Sequence, residues 1–182
     1  VLARIFGASA QMDAFNVAFR LPNLLRRVFA EGAFSQAFVP LFSGAYAKEG
    51  EAAGKALLSQ VTSALFWVLL AVCVLGVLGA PVLVWAMASG FAEHPDRFAL
   101  ATELTRWMFP YILFMSLVAA LAAALNTFKR FAVPAFTPVL LNLSFIGAVL
   151  LLAPYLSSPI FALAVAVLVG GTLQLTVQFV AV

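Results

Sequence analysis

The sequence predicts an all-α integral membrane protein, a polytopic bundle of about six transmembrane helices. Of its 182 residues, 65% are hydrophobic and only 9% are charged, whereas soluble domains carry about 25% charged residues. The mean hydropathy is +1.11. Three uncharged runs, 56–92, 107–128 and 131–182, each exceed the roughly 20 residues that cross a bilayer. The alternation of apolar and polar residues that marks a membrane β-barrel is absent from the sequence.

The uncharged runs and the polar segments between them define six helices. We expect them at 1–10 (the tail of a helix), 13–46, 56–86, 98–128, 134–153 and 160–182 (cut at its end). Polar connections are predicted at 48–55, 89–97 and 154–159, with the alternative that 48–55 already opens the next helix. Pro22 removes a backbone donor inside the second helix, so we expect a kink or opening near residues 19–23.

Both ends of the chain lie in apolar sequence. Val1 is not preceded by Met, Val182 stops inside an apolar run, and the start has no signal-peptide pattern. We therefore expect the chain to be a fragment of a larger membrane protein.

Basic residues predict the orientation of the helices. Lys48 and Lys55 are separated from Lys129 and Arg130 by two predicted spans, so both pairs should lie on one side of the membrane. Cytoplasmic loops carry the excess of Lys and Arg. We therefore expect both polar segments to be cytoplasmic, with Arg97 on the opposite side.

One face of the second predicted helix carries charged side chains inside apolar sequence. At about 100° per residue, Arg20, Arg27 and Glu31 fall within a sector of roughly 40°. The polar residues within about 60° of Arg20 are Asp13, Asn16, Asn23 and Ser35. Charged residues within spanning helices are costly and usually face a cavity or a partner. The stripe therefore predicts a wet cavity that holds an anionic group.

The residues of this stripe allow more than one use. The planar guanidinium of arginine binds phosphate oxygens in bidentate fashion, and the adjacent Arg26 and Arg27 could hold two phosphates from different sides. Alternatively, Arg27 and Glu31 neutralise each other at i, i+4, and Arg20 snorkels or pairs with Asp13. The residues alone leave anion transport, proton coupling and structural ion pairing open.

Other polar residues have structural interpretations beside functional ones. Gln174 and Gln178 share a helix face and either line the cavity or bond a neighbouring helix. Gly170–Gly171 predicts close helix packing. Glu103 and Arg106, three positions apart, favour a local ion pair.

Catalytic chemistry is not indicated. The single Cys73 excludes a disulfide within the chain, and the sequence has no Ser/His/Asp, zinc or phosphate-loop pattern. The net charge of +3 is not arranged as a nucleic-acid surface. We expect neither an enzyme, nor a cofactor, nor a nucleic-acid partner.

The run ARIFGASAQMDAFNVAFRLPNLLRRVFAEGAFSQAFVP, residues 3–40, resembles the N-terminal region of the MurJ/MviN family of bacterial lipid II flippases. The stretches FPYILFMSLVAALAAALNTFKRFAVPAFTPVLLN and VGGTLQL are also similar to that family. The resemblance implies one lobe of the two-lobe architecture of the MOP exporter superfamily, in which two six-helix lobes face each other across a central cavity.

The resemblance also implies roles for individual residues. Arg26 and Arg27 match the cationic pair that engages the diphosphate, and Arg20 stands where a basic residue is common. Asp13 matches an acidic position near the outer gate, and Glu31 one near the cytoplasmic gate. The substrate-binding residues are therefore expected to be Arg26, Arg27 and Arg20, together with Asn23, which is included because it shares the helix face of Arg20.

The resemblance implies export of lipid II, the undecaprenyl-diphosphate-linked peptidoglycan precursor, across the bacterial inner membrane by alternating access. This places the chain in peptidoglycan and cell-wall biogenesis, with lipid II, membrane lipids and other cell-wall synthesis proteins as partners. Membrane potential or an ion gradient would drive transport. The alternatives are a related MOP exporter of another prenyl-diphosphate-linked sugar or a drug, and a non-transporting membrane scaffold. The arginines argue against a carrier of cationic drugs.

Overall fold

The computed structural model describes residues 10–27 and 33–182, and the regular elements in these ranges are all helical, which confirms the all-α prediction. The described residues form α1 (Ala10–Arg26), α2 (Ala33–Leu78), α3 (Ala80–Met87), α4 (Pro95–Met108), α5 (Tyr111–Thr127), α6 (Ala132–Leu151) and α7 (Phe161–Ala181). Two 3-10 turns cover Ser89–Glu93 and Ala153–Tyr155. Within the described ranges, four stretches are long and apolar enough to cross a membrane, namely Gln36–Leu78, Pro95–Thr127, Ala132–Tyr155 and Phe161–Ala181.

The α2 helix is a hairpin of two arms with Gly50 at its apex. Gly50 has φ 84° and ψ −173°, a left-handed conformation that favours glycine. A Cβ built on Gly54 would lie 3.3 Å from Cδ2 of Tyr46, although residues eight apart in a straight helix are separated by about 12 Å. The chain therefore folds back at Gly50. Within 48–55 only the apex at Gly50 leaves the helical conformation, so of the two expectations for this segment, the one in which it opens the next helix is confirmed.

The predicted helix 13–46 corresponds to α1 and the first arm of α2, with residues 28–32 between them outside the described ranges. Pro22 lies inside α1, which is helical throughout Ala10–Arg26. The opening expected near residues 19–23 is therefore absent from the secondary structure of α1.

Prolines begin helices at two places where longer helices were predicted. Pro81 stands in the first turn of α3, after a break at Gly79, and Pro110 precedes α5 directly. Proline suits these positions because its missing N–H has no partner at a helix start. The predicted helices 56–86 and 98–128 are thus each two helices in succession.

Three buried clusters follow one another along the bundle. The cluster nearest Gly50 joins both arms of α2 to α5 through Phe42, Leu58 and Leu121. A middle cluster packs the second arm of α2 on the end of α4 and on α5. Its buried members are Leu65, Leu69, Cys73, Phe109, Ile112, Leu113, Leu117 and Ala120. The third cluster, at the far end, joins α1, α3, α4, α6, α7 and the first residue of α5, Tyr111. The clusters place α1 on the half of the bundle opposite the hairpin apex.

Aromatic contacts mark the two ends of the bundle. Phe128 packs edge-on against Phe42 and Tyr46, with ring centroids 5.5 and 5.1 Å apart. This contact brings Lys129–Arg130 beside the hairpin apex, so the predicted common side of the two basic segments is confirmed. At the other end Trp107 packs against Phe161 at 6.4 Å.

The distance between these aromatic contacts matches a bilayer. Trp107 and Phe128 are about 21 residues apart, or roughly 32 Å of helix, and a hydrocarbon core is about 30 Å thick. Tryptophan is enriched at membrane interfaces. We therefore take Trp107 and Phe128 as the two membrane boundaries.

Candidate functional site: a polar face on α1

The α1 helix divides into a packed face and an open face. Ala14, Phe15 and Ala18 are buried in the far-end cluster. The polar side chains of the helix recur every three or four positions and occupy the other face. Those that are exposed are Asp13, Asn16, Arg20 and Arg27. The sequence folds in this way because the small and aromatic residues fall on one side of a 3.6-residue repeat.

Aromatic rings fix the depth of this face in the membrane. Phe19 stacks on Phe15 and contacts the ring of Tyr111, both with centroids 5.7 Å apart. Tyr111 follows the boundary residue Trp107 by about one helical turn, so Arg20 lies just inside the boundary. Arg27 lies about 12 Å further along the helix than Phe19. This places Arg27 near the middle of the bilayer.

Neither arginine is neutralised by a described acidic residue. Within the described ranges, the ion pair with an N–O distance under 4 Å joins Lys55 to Glu51 at 3.1 Å. The alternative pairing of Arg20 with Asp13 is therefore not formed. Glu31 and the side chain of Arg26 lie outside what the structure describes, so the Arg27–Glu31 pair stays a prediction.

Asn23 differs from the rest of the face. It is half-buried and takes part in an interaction within the protein. Asn23 is therefore less available to a ligand than Arg20 or Arg27. The structure brings Asp13, Arg20 and Arg27 onto one open face, as the sequence predicted.

The glutamines of α7 belong to the packing rather than to this face. Gln174 Nε2 donates to the backbone oxygen of Thr137 at 2.8 Å, and Gln178 Nε2 donates to Thr137 Oγ1 at 3.0 Å. Both glutamines are at most 2% exposed. Of the two interpretations open from the sequence, bonding between helices is the one observed for these amide groups.

Sequence reasoning missed a mainly apolar groove whose wall carries several hydroxyl groups. A groove of about 510 Å³ lies between the second arm of α2, α5 and α7. Its lining residues are Ser59, Thr62, Ser63, Phe66, Leu117, Leu121, Leu175, Thr176 and Phe179. The sequence feature that could have indicated this groove is the hydroxyl-bearing run at 59–63, which contains no acidic or basic residue. The groove lies towards the hairpin end and offers hydroxyls but no charge.

Comparison with known proteins identifies the family. A family model described as "Lipid II flippase MurJ" matches residues 2–182. The chain belongs to the MurJ family. MurJ proteins are membrane transporters rather than enzymes, and they lie in the bacterial inner membrane.

Curated MurJ relatives extend the match. A lipid II flippase MurJ of Burkholderia cenocepacia is 52% identical over 178 residues, which cover 98% of this chain and 34% of that protein. A probable lipid II flippase MurJ of Haemophilus influenzae is 39% identical over 98% of this chain and 36% of its own length. The chain thus spans about a third of the length of these MurJ relatives.

A solved MurJ structure has the same fold. A lipid II flippase MurJ in an inward closed conformation superposes with a TM-score of 0.74 at 29% identity, covering 97% of this chain and 37% of that one. The helical arrangement described above is therefore that of one part of a MurJ-type flippase.

Proposed function

We propose that this chain is the part of a lipid II flippase that supplies one wall of the cationic cavity. The observation that carries the proposal is the open face of α1, on which Arg27 lies near mid-membrane without a described acidic partner. Membership of the MurJ family supports lipid II as the substrate.

The chemistry of the substrate explains why such a face is needed. A diphosphate carries charge that hydrocarbon does not solvate, so unaided transfer is strongly unfavourable. Guanidinium groups bind phosphate oxygens through paired, charge-assisted hydrogen bonds. Arg20 near the boundary and Arg27 deeper in the bilayer give the headgroup two successive contacts along α1. The prenyl tail stays in the lipid outside the cavity.

Transport also needs release on the outer side. We propose alternating access, in which the arginines bind the diphosphate less tightly in the outward-facing state. Asp13 at the outer end and Glu31 towards the cytoplasm act as gates. The membrane potential favours outward movement of an anion by about 2.3 kcal/mol per charge per 100 mV. It supplies the driving force, alone or with an ion gradient, and other cell-wall synthesis proteins receive the exported product.

The gating roles have their own test. Asp13→Asn and Glu31→Gln remove charge but keep size and shape. If these residues gate, each variant of the natural-length protein should bind lipid II normally yet export it more slowly. Unchanged export in both variants would exclude a gating role for these carboxylates.

The decisive experiment compares one arginine with a matched control. Cells depleted of their own lipid II flippase receive the natural-length protein, its Arg27→Ala variant or its Arg97→Ala variant, and lipid II in the outer leaflet is measured. Arg97 is a matched control because it is exposed on α4, beyond the membrane boundary. We expect export with the intact protein and with Arg97→Ala, but not with Arg27→Ala.

Each other result has a definite meaning. If the intact protein fails, the cargo is another prenyl-diphosphate-linked sugar or the protein is a scaffold. If Arg27→Ala exports normally while present in the membrane at equal amounts, Arg27 does not bind the headgroup and the proposed site is wrong.

A further inference from the structure

A second polar site lies on α4, away from the polar face of α1. Glu103 and Arg106 are exposed on this helix, and no N–O distance between them is within 4 Å, so the expected local ion pair is wrong. Two opposite charges, one helical turn apart, are thus both available for a ligand.

The two charges line a groove of about 440 Å³ between α3 and α4. The lining residues are Pro81, Phe98, Ala99, Thr102, Glu103 and Arg106. On α4, Ala99, Thr102, Glu103 and Arg106 follow i, i+3, i+4, i+7 spacing and form one stripe, with Phe98 beside it. The groove therefore combines an apolar wall with a positive and a negative charge.

Thr102 supplies an independent sign of a ligand. Its side chain is 7% exposed, and its Oγ1 has no hydrogen-bond partner among the described residues. Buried hydroxyls are rarely left unpaired, because desolvation without a partner costs about 1–3 kcal/mol. Thr102 is one of the residues that line the same groove, and since threonine adopts two χ1 rotamers in helices, rotation about the Cα–Cβ bond would bring this buried hydroxyl to a ligand.

The groove lies at the depth of lipid headgroups. Arg106 directly precedes Trp107, the boundary residue, and Glu103 lies about one turn further outward. Trp107 itself is 48% exposed. On α3, Trp85 is also exposed, one turn beyond Pro81, so a second indole lies at the same end of the bundle as Trp107. A free solute would not require this position or this apolar surface.

We propose that the α3–α4 groove binds the headgroup of a phospholipid that carries both a phosphate and a primary amine. Arg106 binds the phosphate, the Thr102 hydroxyl donates to a phosphate oxygen, and Glu103 accepts from the ammonium group. This site lies on the side of the membrane opposite the hairpin apex. It is distinct from the cavity wall on α1 and does not depend on the transported cargo.

The test measures which lipid the purified natural-length protein retains, by native mass spectrometry in detergent. Phosphatidylethanolamine, phosphatidylglycerol and phosphatidylcholine are offered singly at equal concentration. We expect phosphatidylethanolamine to bind best, because phosphatidylglycerol has no ammonium group and the choline headgroup has no N–H to donate. Arg106→Ala should lower its affinity about tenfold, and Thr102→Val should lower it less.

Glu103→Gln is the sharpest variant because it keeps the shape of the side chain. It should erase the preference for phosphatidylethanolamine over phosphatidylglycerol while phosphate binding persists. Arg97→Ala, on the same helix but outside the groove, should change nothing. Arg27→Ala should also retain the lipid, which separates this proposal from the transport function.

Three results would overturn the proposal. They are equal affinity of all three lipids for the intact protein, unchanged preference in Glu103→Gln, and displacement of the lipid by millimolar inorganic phosphate. The last result would identify a simple anion site. The effect of Glu103→Gln is measured as the ratio of the affinities for two lipids. It therefore remains informative even if Arg106→Ala proves unstable.

Discussion

Two arginines of α1 and two glutamines of α7 differ in whether the packing of the helices gives them a partner. On α7, Gln174 and Gln178 are buried, and both amide groups donate to Thr137 of α6. On α1, Arg20 and Arg27 are exposed and unpaired with described residues. A polar residue inside a membrane helix is therefore not a sign of function by itself. Such a residue indicates function when the packing of the helices leaves its side chain without a partner.

Charge reversal at Arg27 is expected to have the largest effect. Arg27→Glu replaces a phosphate-binding cation with an anion, and a charge-assisted hydrogen bond contributes about 1.5–3 kcal/mol. Export should fall by about ten- to hundredfold, whereas the unfolding temperature should stay the same. Arg97→Glu is the control, measured in the same export assay. A fall in the unfolding temperature of Arg27→Glu would place Arg27 among the packing residues instead.

The packed region should respond in the opposite way to substitution. A Cβ on Gly170 would lie 2.6 Å from Leu141 Cδ1 and 3.2 Å from Leu141 Cα. Gly170→Ala should therefore destabilise the fold by about 1–3 kcal/mol through overpacking, as measured by thermal unfolding. Gly147→Ala is a matched control, because a Cβ there meets nothing within 4 Å. Equal stability of both variants would contradict the close contact of α6 and α7.

The hairpin apex tests whether the fold depends on backbone conformation as well as on packing. Gly50→Ala places a side chain at φ 84°, which costs about 1–2 kcal/mol. Gly44→Ala lies in a helix with open space around it and should stabilise by up to about 1 kcal/mol. Opposite shifts in unfolding temperature are expected for the two. A neutral Gly50→Ala would show that the apex adapts.

The smallest expected effect lies at the hydrogen bond between helices. Gln178→Leu removes the donor to Thr137, and such bonds contribute about 0.6 kcal/mol in membrane proteins. The double variant Gln178→Leu/Thr137→Val should lose less stability than the sum of the losses in the two single variants. Strict additivity in this cycle of unfolding measurements would mean that the bond does not contribute to stability.

The fold class and the polar face followed from simple patterns in the sequence. Uncharged runs longer than 20 residues predict spanning helices whatever their partners are. The spacing of Asp13, Arg20 and Arg27 predicts a shared face, since helix geometry alone determines it. The basic segments at 48–55 and 129–130 also share an end, as their separation by two spans predicts.

Details that depend on tertiary context could not be predicted. The segment 48–55 is rich in Lys, Glu and Ala, which favour helix as much as they mark a polar connection. Glu103 and Arg106 have the spacing of an ion pair, but spacing does not determine rotamers. The sequence likewise gives no sign that Gln174 and Gln178 both bond to Thr137, because that contact joins residues about 40 positions apart.

The pairing of α6 with α7 has a consequence for biosynthesis. Thr137 Oγ1 donates to the backbone oxygen of Val133 and accepts from Gln178, and Gln174 bonds the Thr137 backbone oxygen. Because α6 precedes α7 in the chain, Thr137 reaches the membrane before either glutamine. If α7 entered lipid alone, its two amides would have no partner. The two helices should therefore leave the translocon together, as a preassembled pair, rather than one at a time.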